Sequence, residues 1–267
     1  MQRDWDDAFA NMAHIPGGEA LAAAWPEDAA QFRSKHRGKL DIRYGEGDRQ
    51  SLDLFYPNEQ PKGIMIFVHG GYWMRFGRED FSHLAQGAVD AGYIACLPSY
   101  PRAPDVRIAK ITQEIARAVQ SVAHMIAGPL YLCGHSAGAH LALRMVCDDS
   151  HLPEPVLARI GRVTGIGGVY DLRPLMMTSM NSTLHLDESE AASESPVLRQ
   201  PKLCCPLTIW VGAKERPEFV RQSRLLAMMW DGLGADLTIV EDAGRNHFDV
   251  IDGLRDVDSP LMRAVLG

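Results

Sequence analysis

Three kinds of residue in this chain could act together in one reaction: a serine between glycines, a histidine near the C-terminus, and a few carboxylates between them. The serine stands in Gly134-His135-Ser136-Ala137-Gly138, a G-x-S-x-G run. A serine hydroxyl is a weak nucleophile at neutral pH, so it needs a base to take its proton and an acid to orient that base. The chemistry implied is acyl transfer through a covalent serine intermediate. The candidate base is His247, in Gly244-Arg245-Asn246-His247-Phe248. The other nine histidines read as structural or surface residues. Two carboxylates compete for the role of acid. Glu215 ends Trp210-Val211-Gly212-Ala213-Lys214-Glu215, and Asp171 lies in Gly168-Val169-Tyr170-Asp171-Leu172. Asp242 and Asp249 are nearer to His247 in sequence but fall on the wrong loop.

The tetrahedral intermediate of such a reaction needs backbone N–H donors, and losing one typically costs ~10²–10³ in rate. Ala137 supplies one, immediately after the nucleophile. Gly70 and Gly71 of His69-Gly70-Gly71-Tyr72-Trp73 supply the others, because glycine presents its N–H with no side chain in the way. His69 then reads as a brace for this loop rather than a second base. Tyr72 and Trp73 could form an aromatic wall for a substrate ring, although packing alone would also explain Trp73. Tyr100 and His140 read as structural neighbours of the site.

These residues must be positioned by regular elements, and the sequence supplies them in alternation. Candidate strands cover 39–44, 51–56, 64–68, 93–97, 129–133, 163–167, 207–211 and 237–240. Between them lie helical patterns around 81–90, 106–126, 139–146 and 219–232, with a final helix from about Asp249. Strands alternating with helices imply βαβ units and a mainly parallel sheet of about eight strands covered on both faces. The serine sits where a short apolar run meets a helix. That strand–turn–helix setting is the one a nucleophile elbow of the α/β-hydrolase fold requires, with chain order serine, acid, histidine. Glu215 after the penultimate strand and His247 after the last satisfy that order, and on this ground Glu215 is favoured over Asp171. A single domain over 1–267 is expected, with an N-terminal helical segment over 1–37. The stretch 173–206 breaks the alternation, is rich in Met, Ser and Glu, and reads as a small cap insertion whose Met176, Met177, Met180 and Leu184 could line a pocket.

Composition narrows the partners. With 27 Lys+Arg against 34 Asp+Glu and no basic block, neither nucleic acid nor an anionic membrane is an expected partner. The N-terminus lacks the basic and apolar regions of a signal peptide, and no apolar run approaches the ~18 residues of a membrane span. The five cysteines (Cys96, Cys133, Cys147, Cys204, Cys205) show no metal-ligand spacing. The expectation is a cytoplasmic enzyme with reduced thiols, no metal, no cofactor and a small-molecule substrate, possible as a homo-oligomer.

With H-G-G-Y-W at 69–73 and G-H-S-A-G-A-H at 134–140, the chain resembles the kynurenine formamidase (arylformamidase) family of α/β-hydrolases, relatives of the hormone-sensitive-lipase-like esterases. Leu52-Asp53-Leu54-Phe55, Gly168 to Leu172, and Pro217-Glu218-Phe219 extend the likeness over about 40–250. By position, the resemblance implies Ser136 as nucleophile, Glu215 as acid, His247 as base, and Gly70, Gly71 and Ala137 as oxyanion donors. The acid in this family is often Asp, so Glu215 is a departure. The implied reaction is hydrolysis of N-formyl-L-kynurenine to kynurenine and formate, a step of tryptophan breakdown. A carboxylesterase with the same triad is the alternative, and a ligand-binding homologue that has lost catalysis is a remoter one.

Overall fold

Strand Ile64–Val68 is apolar and buried at every position, the pattern of a strand covered on both faces rather than one. Its neighbours follow suit, and the computed structural model, which describes residues 3–202 and 204–267, shows what covers them. Eight strands form one sheet: β1 Gly38–Arg43, β2 Ser51–Phe55, β3 Ile64–Val68, β4 Ile94–Pro98, β5 Leu130–His135, β6 Ile160–Ile166, β7 Leu207–Gly212 and β8 Leu237–Asp242. Their order is β1-β2-β4-β3-β5-β6-β7-β8. Strand β2 runs antiparallel to β1 and β4, and every pair from β4 to β8 is parallel.

Helices occupy both faces, as the alternation predicts. They are α1 Trp5–Phe9, α2 Gly18–Lys35, α3 Gln86–Asp90, α4 Ile108–Met125, α5 Ala137–Arg144, α6 Glu154–Leu157, α7 Asn181–Leu184, α8 Glu188–Ser193, α9 Pro217–Asp231 and α10 Pro260–Leu266. Successive residues of β3 part to opposite sides. Ile64, Ile66 and Val68 join a core with Ile111, Ile115 and Val119 of α4, with α5, and with Phe219 and Trp230 of α9. Met65 and Phe67 join a second core with Trp25 and Phe32 of α2, Ala88 of α3, and Met262 and Val265 of α10. In α4 the buried aliphatics recur at three- and four-residue intervals, so one stripe faces the sheet.

Two elements differ from the sequence expectation. Over 81–90 the chain makes 3₁₀ turns (Arg78–Asp80 and Ser82–Ala85) before the short α3. Arg78 anchors this stretch: its Nε donates to Asp53 at 2.8 Å and its backbone N–H to Ser99 Oγ at 2.9 Å. The tighter turns swing Phe81, Leu84 and Ala85 into the second core. At the C-terminus no helix starts at Asp249. A 3₁₀ turn over Asp252–Arg255 comes first, and α10 begins only at Pro260, where Ser259 Oγ caps the Met262 N–H at 2.9 Å. Among the described residues no helix is long and apolar enough to cross a membrane.

Packing this dense favours the neutral ring in four of the buried histidines. Burial holds His69, His83 and His140 down at about 4, and His135 well below its ordinary value. In the unfolded chain each titrates near the ordinary value of about 6.5. Their contribution to stability is therefore fully present above about pH 6.5. As the pH falls from there towards 4, the unfolded state takes up protons that the folded state refuses, and stability is lost. Urea denaturation midpoints should decline steeply over this window, each such group adding up to about 1.4 kcal/mol per pH unit. A midpoint that stays level down to pH 4 would contradict this account.

Candidate active site

Parallel strands place the loops that follow them at one edge of the sheet, the usual position for a ligand crevice in open α/β sheets. The loops after β3, β5, β7 and β8 meet there. The turn after β5 is the sharpest. Ser136 has φ 56° and ψ −121°, a conformation rarely held by a residue with a side chain. The turn packs so tightly that a Cβ on Gly138 would lie 1.9 Å from the Val68 carbonyl oxygen, and one on Gly134 would lie 2.1 Å from the Gly138 carbonyl. The flanking glycines are thus a steric requirement of bringing α5 against β3. Ser136 N–H donates to the Ile166 carbonyl at 2.8 Å, which ties the turn to β6.

The loop after β3 runs alongside. Gly71 has φ 104°, and a Cβ there would meet the Arg75 carbonyl at 2.7 Å. Tyr72 and Trp73 also have positive φ, so the loop coils left-handedly, with the Gly71 carbonyl accepting from the N–H groups of Met74 and Arg75. The N–H groups of Gly70 and Gly71 donate no hydrogen bond among the described residues. The N–H of Ala137 lies at the first position of α5, where helices leave donors unpaired. Two aromatic rings brace the loop. His69 stacks on Tyr100 at 4.3 Å, its Nδ1 donates to the Gly70 carbonyl at 2.8 Å, and the Tyr100 hydroxyl donates to the His69 carbonyl at 2.9 Å.

After β7 the chain turns so that Glu215 Oε1 accepts from the Gly212 N–H at 2.9 Å. Its other oxygen lies 2.5 Å from His247 Nδ1, and both side chains are buried. The loops after β7 and β8 are tied together by Ala213 N–H to the Asp242 carbonyl (2.8 Å) and Lys214 N–H to the Arg245 carbonyl (2.9 Å). His135 Nε2 donates to the His247 carbonyl at 2.8 Å from the other side, and the Phe219 ring stands 4.5 Å from the imidazole. With Nδ1 engaged, Nε2 is the nitrogen of His247 left to exchange a proton. Asp171 is differently occupied: its carboxylate accepts from Arg173 Nε at 2.8 Å and Nη2 at 2.9 Å.

Ser136, His247, Gly70 and Gly71 line one cavity of about 390 Å³, within the range of about 300–1,000 Å³ usual for small-molecule sites. The structure parts the two aromatic candidates. Tyr72 lines the cavity, and its hydroxyl donates to the Phe9 carbonyl at 2.6 Å. Trp73 is fully buried with its ring edge-on to His140 at 5.1 Å, and it is not part of the lining. Of the stretch 173–206, Ser179 and Met180 reach the cavity, whereas Leu184 is buried in the core and Met177 points to solvent. Most of the roof instead comes from the N-terminal segment, through Phe9, Asn11, Met12 and Trp25. The sequence marks that segment only as helical, and its Trp, Phe and Met residues are the feature that could have placed it over something apolar.

The comparisons with known proteins agree with this architecture. Residues 65–248 match the family model described as the alpha/beta hydrolase fold. Kynurenine formamidase of Danio rerio is 30% identical over 258 residues, covering 92% of this chain and 87% of that protein. The Salmo salar kynurenine formamidase is likewise 30% identical, covering 91% and 86%. Among solved structures, a protein from a Silicibacter species, provisionally named a thioesterase, superposes with TM-score 0.94 at 44% identity over the whole of both chains. On fold, on the family match and on identity over nine-tenths of its length, this chain belongs to the α/β-hydrolases, in the family of the kynurenine formamidases.

Proposed function

We propose that this hydrolase cleaves an N-formyl arylamide, N-formyl-L-kynurenine foremost, with Ser136 as nucleophile, His247 as base and Glu215 as acid. The observation that carries the reading is the buried 2.5 Å contact between Glu215 and Nδ1 of His247, whose ring lines the same cavity as Ser136. The substrate class comes from the formamidase relatives.

In this reading Ser136 Oγ attacks the formyl carbon while His247 Nε2 takes its proton. The oxyanion is received by the N–H groups of Gly70, Gly71 and Ala137. His247 then returns the proton to the anilide nitrogen, kynurenine leaves, and water, deprotonated by the same imidazole, releases formate from Ser136. An anilide is a better leaving group than an alkyl amide because the ring delocalises the nitrogen lone pair. Glu215 keeps Nδ1 protonated and stabilises the imidazolium, and its fixing by the Gly212 N–H offsets the freedom of its extra methylene relative to Asp.

Ser136→Ala should lower kcat/KM to below about 10⁻⁴ of wild type with the circular dichroism spectrum unchanged. Glu215→Gln should cost about 10²–10⁴ in kcat. Asp171→Asn, at a carboxylate already paired with Arg173, should cost far less. The reverse ranking would move the acid to Asp171. Rates on N-formyl-L-kynurenine, p-nitrophenyl acetate and an acetyl thioester, measured side by side, test the substrate class. A preference for the formamide supports the reading, and turnover of the ester or thioester alone would replace it with an esterase.

A further inference from the structure

The cavity contains polar groups that the proposed chemistry does not use. The hydroxyl of Tyr72 is spent on the Phe9 carbonyl, His135 on the His247 carbonyl, and Ser179 on Asp6 Oδ1, which accepts its N–H at 2.7 Å and its Oγ–H at 2.8 Å. That leaves Asn11, Arg75 and the second oxygen of Asp6.

Asn11 is the least ordinary of these. It is 6% exposed, it lines the cavity, and neither Nδ2 nor Oδ1 has a hydrogen-bond partner among the described residues. Leaving a buried amide unsatisfied is unfavourable, and in a cavity wall a ligand can supply the missing partner. A local structural role does not account for it. Asn11 precedes the 3₁₀ turn Met12–His14, yet its side chain makes no capping bond there. The backbone of the turn is closed without it, by Asn11 N–H to the Phe9 carbonyl and His14 N–H to the Asn11 carbonyl, both at 3.0 Å. Arg75 follows the glycine loop, is exposed at the cavity, and forms neither an ion pair nor a side-chain hydrogen bond among the described residues.

We infer that Asn11 and Arg75 recognise the zwitterionic α-amino-acid end of the substrate, so that the enzyme selects formylated aryl amino acids over simple formanilides. The inference rests on the formamidase reading given above. The formyl oxygen is served by backbone N–H groups, and the ring by an aromatic lining that includes Trp25 and Phe76. The remaining part of the substrate carries one carboxylate and one ammonium. Asn11 offers a donor and an acceptor on one rigid group, which matches that adjacent pair of charges. Arg75 supplies a cation for the carboxylate, and the second oxygen of Asp6 is an acceptor on the same cavity for the ammonium.

The test compares N-formyl-L-kynurenine with 2-formamidoacetophenone, which keeps the formanilide and the ketone and lacks the amino-acid end. Asn11→Leu and Arg75→Gln should each lower kcat/KM on N-formyl-L-kynurenine by about tenfold to hundredfold, mainly through KM. The loss on 2-formamidoacetophenone should be at least about tenfold smaller. Inhibition by L-kynurenine should weaken in the same variants. Arg75 is exposed, so its variant remains informative if Asn11→Leu disturbs the roof. Equal losses on both substrates, or no preference of the wild type for N-formyl-L-kynurenine over the truncated formanilide, would overturn the inference while leaving a formamidase. Failure of the wild type on both formamides would remove the formamidase reading and this inference together.

Discussion

The contact between His247 and Glu215 depends on several parts of the structure at once. Both side chains are buried, so each is costly to bury without the other, and their 2.5 Å approach requires two loops from adjacent strands to hold a common shape. The parallel pairing of β7 with β8 sends both loops to one edge of the sheet. Two backbone hydrogen bonds then tie the loops, and the Gly212 N–H fixes the carboxylate. His135 reaches across from the β5 turn to the His247 carbonyl, which connects this pair to the serine turn. Because burial favours the neutral ring of His135, that bond places no positive charge beside His247.

The same economy of space governs the two turns that face the cavity. At the β5–α5 turn, the absence of a Cβ on Gly138 brings the helix against the Val68 carbonyl, and Ser136 is forced to positive φ. At the loop after β3, successive left-handed residues leave glycine N–H groups unpaired beside Ser136. Both conformations are strained, and both are held by rigid neighbours: β6 through the Ile166 carbonyl, and the His69–Tyr100 stack. Strain concentrated here and absorbed by the sheet suits the role of fixed donors proposed for these N–H groups.

The roof is a separate construction. The N-terminal segment is fastened by Asp6 to Ser179, by Asp7 to Arg216, by Arg3 to Glu218 and by the Tyr72 hydroxyl to the Phe9 carbonyl. These polar ties sit around an apolar lining, so the segment closes the cavity while remaining attached through its rim. The cavity is thus enclosed jointly by the N-terminal segment and by the loops at the edge of the sheet, parts of the chain far apart in sequence.

Much of this was legible in the residues alone. The inner strands lie where apolar runs place them, because a doubly covered strand must be apolar throughout, whereas the edge strands β1 and β8 are largely exposed. The G-x-S-x-G turn, the H-G-G loop and the positions of Glu215 and His247 after the last two strands could be read from spacing, since parallel topology gives loop order a spatial meaning. Other features were outside the reach of sequence. That Trp73 turns into the core while its neighbour Tyr72 faces the cavity depends on two consecutive left-handed residues, which no periodicity encodes. That the cavity is roofed by residues near 5–25 more than by 173–206 is a long-range packing outcome. Of the helix expected at 81–90 only the second half forms, as α3; 3₁₀ turns take the first half, next to Arg78, which is anchored by Asp53 and Ser99, partners distant in sequence. The unsatisfied amide of Asn11 is visible only once burial and hydrogen bonding are known together. Sequence determined which residues could react and the order of the elements that carry them, because both follow from local chemistry. Tertiary structure alone decided which side chains enclose the space where they react, because that depends on contacts between segments far apart in the chain.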